Sequence, residues 1–466
     1  MQYDNVGRPA HQRVRHNGRT LLDKSYLWGD NLRLLQTLDT INGRSVRYDY
    51  DTFGSLSGAV YGDGSCQWRN PDAMGNVYDS PDRTDRNYGR GGQLREDKKW
   101  RYYYDSQGNL VLKSMRRSGP SLETGMRDEF LAWQSGDYAY TWQGNGMLRS
   151  VTRPDGKTVT FRYDALGRRI EKVFDGRVYR YLWDGDVILH EWDYTEADRP
   201  NTIVTETGEV TLDRPESVEN LITWVYDSDN YVPTAKIVGD RHYSIISDYI
   251  GRPVQVYDDK GNVVWQADYD IYGNLRNLHG SRQFIPFRQL GQYEDDETGL
   301  YYNRFRYYDP RIGNYISQDP IRLAGGNNPT LYGYVGDCNK WFDLFGLDYF
   351  YQLIRHDKVV YNGITKNPVK DRIADHIGVK DFTEFRYVQV KDRIASRNLE
   401  GSALHHADGK GLQNAHRKDG QYYHSYDPDN LAEGRTYYTQ AEIDEIMKKA
   451  ETGEIKDGKV ILHNCK

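Results

Sequence analysis

YDNVGR at residues 3–8, YDTFGS at 50–55, YDSQGN at 104–109, YDALGR at 163–168, YDDKGN at 257–262 and YDIYGN at 269–274 are six copies of one phrase, Tyr-Asp-x-x-Gly followed by Arg, Asn or Ser. Weaker echoes stand at Asp72 (DAMGN) and Asp248 (DYIGR). The chemistry is that of a strand running into a turn. Tyr is the last packed residue, Asp bonds the backbone ahead of it, and Gly takes the left-handed conformation. Runs such as VTFRY (159–163) and VVWQADY (263–269) alternate with the two-residue period of half-buried strands. Recurrence of this kind sets an array of strand-and-turn units apart from an ordinary β-sandwich that is merely rich in Tyr and Gly. Residues 195–220 are polar and lack the phrase, which predicts an insertion or loop.

Composition agrees with a β-rich chain. Among 466 residues there are 40 Tyr and 10 Trp against 12 Phe, with 45 Gly, and aromatics suit pleated surfaces while Gly suits tight turns. No run approaches the ~20 apolar residues that cross a bilayer, and the first residues lack the apolar core of a signal peptide. Cys66, Cys338 and Cys465 show no CxxC spacing, which argues against a disulfide scaffold, a zinc ribbon or a redox motif. The net charge of −6 removes any whole-chain case for nucleic-acid binding. The distribution is uneven, however. All Trp lie before residue 342, residues 348–466 hold 19 basic and 19 acidic residues, and seven of the 12 His fall in that last quarter. Something changes near residue 347.

The repeat resembles the YD-repeat proteins of the Rhs family, and the resemblance implies an all-β shell over 1–296, a long antiparallel sheet wound around a hollow. Met1 stands almost inside a repeat, so the chain is expected to be the C-terminal portion of a longer architecture, or a cassette that has lost its front. Residues 297–347, ETGLYYNRFRYYDPRIGNYISQDPIRLAGGNNPTLYGYVGDCNKWFDLFGL, are similar to the Rhs repeat-associated core. In that family two aspartates cut the chain after a terminal Leu. The match places the pair at Asp319 and Asp343, the supporting cation at Arg306 and the cut after Leu347. Two carboxyls held close cannot both ionise, so one serves as acid while the other activates water. Leu344 stands where the family has Pro, and GDCNK replaces its upstream Asn-Pro. Taken alone, Asp319 and Asp343 read as turn residues.

Residues 348–466 read as a small α/β domain in ββαβα order with a further helix. YFYQLIR (349–355), VVYNGIT (359–365) and FRYVQV (385–390) are the expected strands. Asn367-Pro368 opens a helix, VKDRIADHI, which sets Val369, Ile373 and Ile377 on one stripe and Arg372 and His376 on a neighbouring face. A second helix carries Ala395, Leu399 and Ala403, with Glu400 beside that stripe. A capping box, Thr439 with Glu442, opens the last helix, whose Ile443, Ile446, Met447 and Ala450 are packing residues.

Tyr351, Tyr361, Arg372, Glu400 and Asn414 stand in the order and rough spacing of a GIY-YIG nuclease, which the tail resembles through the degenerate motifs Phe350-Tyr351-Gln352 and Tyr361-Asn362-Gly363. RNLEGSALHH (397–406) and LQNAHR (412–417) would supply the Glu and the Asn. The resemblance implies one Mg²⁺, or another divalent cation, held by Glu400, which suits an ion that keeps several waters and takes the rest of its shell from phosphate. Arg372 offers a planar fork to the scissile phosphate. Tyr361 would orient or deprotonate the attacking water, which requires a depressed phenol pKa. Asn414 would position Glu400 or the substrate, and His376 would share the proton transfers.

Each residue also has a plain reading: Tyr as cross-strand packing, Arg372 and Glu400 as solvated helix charges with Arg397 as a ready partner, Asn414 as a turn residue. His405, His406, His416 and His424 offer a rival HNH-type metal site but lack its spacing.

The expectation is therefore an Rhs-type antibacterial toxin, made in the cytoplasm and exported without a signal peptide by a type VI or similar system. Its released tail would cut DNA or RNA in the cytoplasm of a competitor, and the producer would need a cognate immunity protein. The alternatives are a tail of another enzymatic class, such as an ADP-ribosyltransferase, and a non-enzymatic YD-repeat surface protein.

Overall fold

The computed structural model describes residues 1–29, 33–116, 132–227, 230–319, 330–343, 349–356, 358–365, 369–374, 376–389, 399–400, 402–404, 406, 437–448, 450–456 and 458–463. They form two compact units. One is Met1–Ser317 with Tyr332–Phe342, and the other is Gln318–Leu331 with Asp343–Lys466. The division thus falls at Ser317/Gln318, Leu331/Tyr332 and Phe342/Asp343, and residues 297–347, read from sequence as one junction segment, are shared between the two.

The first unit is all β, as the repeat predicts. A seven-stranded sheet runs in sequence order from Gln2–Tyr3 to Cys66–Trp68, and a sixteen-stranded sheet runs from Arg86–Tyr88 to Leu275–His279. Every pairing in both sheets is antiparallel between successive strands, save where residues 195–220 intervene between Val187–Thr195 and Glu219–Tyr226. That stretch contains an exposed two-stranded hairpin, Thr202–Val204 with Val210–Leu212, so the expected insertion is present. VVWQADY is a strand over the residues read from its alternation, Val263–Tyr269.

The turns show why the phrase recurs. Asp164 Oδ1 accepts from the backbone N–H of Leu166 and of Arg168, both at 2.9 Å, and Oδ2 accepts from Arg168 Nε at 2.6 Å. Gly167 stands at φ +73°, its own N–H bonded to the Asp164 carbonyl. The two backbone bonds to aspartate recur at Asp4, Asp51, Asp105, Asp258 and Asp270, and at the weaker echoes Asp72 and Asp248. Where the last residue is Arg or Asn its side chain reaches the second carboxylate oxygen, as Arg252 and Asn262 do.

The ring before the turn has a second task. Tyr163 donates to the carbonyl of Leu148, Tyr269 to that of Pro253, Trp142 to that of Leu110 and Trp183 to that of Arg169, all at 2.7–2.8 Å. Each acceptor is the first strand residue past the preceding turn, so these four units are each tied to the one before. Phe packs as well but cannot donate, which accounts for the excess of Tyr and Trp.

The motif-rich segment after residue 292 is buried within the first unit. Tyr293–Asp295, Leu300–Asn303, Arg306–Asp309 and Asn314–Tyr315 form a four-stranded antiparallel sheet with every residue buried. Its tyrosines reach the repeat turns: Tyr302 bonds the carbonyl of Gly167, Tyr301 that of Gly273, and Tyr308 that of Tyr272. Its charges are paired, Asp295 with Arg169 and Lys172, and Asp309 with Lys113 and Arg311. Buried carboxylates need such partners, because an unpaired charge out of water is costly.

The second unit is built on a five-stranded antiparallel sheet in the order Lys358–Thr365, Tyr349–Arg355, Glu384–Gln389, Glu451–Lys456, Lys459–His463. The first three are the strands read from sequence. The last two were not foreseen; they follow the last helix and close the unit on a β-hairpin. Their alternation is masked by charge, yet Asp457-Gly458 is the dipeptide that favours such a turn, and Gly458 lies at φ +71°. The helix Val369–Ala374 is shorter than expected, and Asn367-Pro368 lies outside the described residues. The capping box at Thr439 is formed as predicted, and Ile443 and Met447 pack with Leu399 and Ala403. Among the described residues no helix is long and apolar enough to cross a membrane.

Candidate active site of the C-terminal unit

Strand register decides which side chains of the tail share a face. Tyr351 lies opposite Gly363 on one neighbour and Tyr387 on the other, and Leu353 lies opposite Tyr361 and Phe385. Gln352 points to the other side, where a buried ladder crosses three strands. Arg386 Nε donates to Gln352 Oε1 and Gln352 Nε2 to Asn362 Oδ1, both at 2.7 Å. These bonds lock the two tyrosine strands in one register.

Gly363 shapes the tyrosine face. A Cβ there would sit 2.6 Å from Cε1 of Tyr361 and against the Tyr351 ring, so only glycine admits both phenols. The two rings are stacked with centroids 6.0 Å apart. His376 comes from beyond the helix end, where its N–H bonds the Ile373 carbonyl. Its ring centroid lies 4.9 Å from that of Tyr361, and its Nε2 is 2.7 Å from the Tyr351 hydroxyl. The two phenols are hydrogen-bonded to each other, and the Arg372 guanidinium donates to both.

The structure therefore brings together Tyr351, Tyr361, Arg372 and His376, and the Glu400 carboxylate lies near enough to act on Tyr361. Asn414 lies outside the described residues, as do His405, His416 and His424. His406 is held at both ring nitrogens, by the Tyr438 carbonyl at 2.9 Å and the Tyr437 hydroxyl at 3.4 Å, as a packing histidine would be. Lys380 was not foreseen: its ammonium lies 5.0 Å from the centre of the Tyr361 ring. Its place follows from a tight turn at Gly378 that only the folded chain reveals.

The electrostatics correct one expectation. Burial and the Glu400 carboxylate push the Tyr361 phenol up, against the opposing pull of Arg372 and Tyr351. Burial drives Tyr351 higher still. A depressed phenol, the condition for Tyr361 to deprotonate water, is not what this site produces, so both tyrosines are protonated donors at neutral pH. His376 is the opposite case: burial, then Arg372 and Lys380, press its imidazole down to about 4. It is neutral at pH 7 and available to accept a proton.

Among the described residues no group of three or more His, Cys, Asp or Glu could hold a metal ion. A zinc site would need at least three protein ligands. A single carboxylate beside cations that attract phosphate is the donor set that suits Mg²⁺, so Glu400 fits the one ion the sequence implied.

The junction residues fall in both units. Arg306, in the first unit, is fully buried with its guanidinium carbon 3.7 Å from the centre of the Tyr315 ring. Asp319 and Asp343, in the second, are 1% and 0% exposed, and the Asp319 N–H bonds the Leu331 carbonyl. Leu347 and Leu344 lie outside the described residues.

A family model described as the teneurin YD-shell matches residues 1–330. The chain is 32% identical over 399 residues to the "Double-stranded DNA deaminase toxin A" of Burkholderia cenocepacia (strain H111), covering 78% of this chain and 26% of that protein. It is 33% identical over 264 residues to the "Probable deoxyribonuclease RhsA" of Dickeya dadantii (strain 3937), covering 55% and 16%. It is 27% identical over 263 residues to the "tRNA3(Ser)-specific nuclease WapA" of Bacillus spizizenii, covering 51% and 10%. The chain thus spans about a quarter or less of the length of these relatives.

Proposed function

The chain belongs to the teneurin YD-shell family, and from that premise we propose that it is the C-terminal part of an Rhs-type toxin whose tail is a Mg²⁺-dependent, GIY-YIG-like phosphodiesterase acting on DNA or RNA. Relatives named as toxins and nucleases support the class. The observation that carries the reading is the convergence of Tyr351, Tyr361, Arg372 and His376 on one site, with Glu400 acting on it.

Arg372 binds the scissile phosphate and stabilises charge on its oxygens. Tyr361, a protonated donor, orients the attacking water. The proton leaves through Tyr351 to the neutral Nε2 of His376, 2.7 Å away. Glu400 would hold Mg²⁺, which supplies stabilisation of charge on the leaving oxygen. Asn414 completes the set as a positioning residue.

Release follows from the junction. Asp319 and Asp343, both buried in the second unit, are on this reading the pair that cuts after Leu347. The toxin leaves the producer's cytoplasm through a secretion system, acts in the cytoplasm of a competitor, and is neutralised at home by an immunity protein.

The test incubates the purified chain with plasmid DNA and with total cellular RNA, in Mg²⁺ or in EDTA, beside Glu400→Gln. Mg²⁺-dependent cutting of either polymer, lost in the variant, is expected. Intact polymers from a folded protein would refute the reading. Intact mass of the same preparations shows release, which Asp343→Asn should abolish.

A further inference from the structure

Lys380 is held in the tail's site by its own short loop. After the helix the chain turns at Gly378, φ +78°, and the N–H groups of Val379 and Lys380 both bond the His376 carbonyl, at 3.1 and 2.8 Å. Ile377 and Lys380 form a parallel bridge across that loop. The backbone thus ties Lys380 to His376, and the side chain carries its ammonium to 5.0 Å from the centre of the Tyr361 ring. The residue is half-buried. An aromatic face stabilises a cation without neutralising it, so the positive charge remains in the site.

Two cations, Arg372 and Lys380, then act on this group of phenols and imidazole, and Glu400 is the carboxylate that acts with them. Arg372 bonds both phenols and so stands at the reacting end. Lys380 reaches the same Tyr361 ring from a different segment. A ligand with one anionic group would use one of these cations, and a chain of phosphates would use both.

We propose that Lys380 is a second phosphate-binding residue of this site, taking a backbone phosphate adjacent to the one held by Arg372. This rests on the nuclease reading. Its consequence is specific: each cation that neutralises a phosphate releases a counterion, so the logarithm of affinity falls with the logarithm of salt by about 0.7 to 0.9 per contact.

The experiment uses the whole chain in EDTA and measures binding of labelled 20-nucleotide duplex DNA and duplex RNA between 50 and 300 mM KCl. Lys380→Gln is expected to weaken binding about tenfold near 100 mM and to reduce the salt slope by about one, with Lys380→Arg restoring both. The histidine titration by NMR is the fold check and a second readout. Loss of the Lys380 charge should raise the His376 midpoint, and Arg should leave it low. A Lys380→Gln protein with a wild-type slope, while Arg372→Gln loses one contact, overturns the proposal and leaves the nuclease reading standing. Failure of the wild-type chain to bind either nucleic acid overturns both.

Discussion

Gly363→Ala tests the site through its tightest contact. The new Cβ would stand 2.6 Å from Cε1 of Tyr361, where carbon atoms prefer about 3.5–4.0 Å, so a ring must move by about 1 Å. Tyr351, also against that Cβ, cannot follow without stretching its 2.7 Å bond to His376 beyond the ~3.2 Å that a hydrogen bond tolerates. Overpacking of this kind costs about 1–3 kcal/mol, and a 1 Å misplacement of reacting groups costs about 10²-fold in rate. The control is Gly453→Ala in the same sheet, whose Cβ would meet Phe385 and the backbone of Ile461 instead. Both variants should lose stability by similar amounts, followed by amide hydrogen exchange because the tail has no Trp. Only Gly363→Ala should lose cleavage at equal folded fraction, and its His376 should titrate nearer 6.5 as its surroundings loosen. Full activity in Gly363→Ala with His376 still low, or equal loss of activity in Gly453→Ala, would refute the reasoning.

Three further outcomes are expected. His376 is held near 4 when folded against about 6.5 when unfolded. The unfolded chain therefore binds more protons in that window, and tail stability should fall by up to about 3 kcal/mol as pH drops from 6.5 to 4; hydrogen exchange across that range checks it, and His376→Gln should flatten the slope. In the first unit a buried cation, Lys113, and an exposed one, Arg311, share the buried Asp309, and burial holds Lys113 down to about 8. Asp309→Asn should cost about 3–5 kcal/mol, whereas Lys113→Met, which leaves Asp309 with Arg311, should be neutral or stabilising. Urea unfolding read by fluorescence orders the two variants, because Trp100 lies beneath the Lys113 ammonium. Asp164→Ala, which strands two backbone N–H groups and Arg168, should cost about 1–3 kcal/mol by the same assay.

The repeat was legible because its physics is local. Asp164, Gly167 and Arg168 make their turn within five residues, so their spacing alone predicts the bonds they form. The alternation of 263–269 likewise needs no partner strand to be recognised. The closing hairpin of the tail was missed because Glu451, Glu454, Lys456 and Lys459 hide its period, while the Asp457-Gly458 turn signal was in plain view. The tail's chemistry was legible as a set of residue types in order, but not as protonation states. Tyr361 was expected to be an acidic phenol, and burial beside Glu400 makes it the reverse.

What the sequence determined by itself is everything set by contacts a few residues apart: strand–turn repeats, an insertion, a compositional break near 347 and a capping box at Thr439, beside a candidate list running from Tyr351 to Asn414. What the tertiary structure decided depends on groups distant in the chain. Tyr302 meets the Gly167 carbonyl across 135 positions, and Arg169 meets Asp295 across 126. Lys380 reaches Tyr361 only because Gly378 reverses the chain. Burial then sets which of these groups carry charge, since desolvation and neighbouring ions, neither visible in the order of residues, fix the balance between charged and neutral forms.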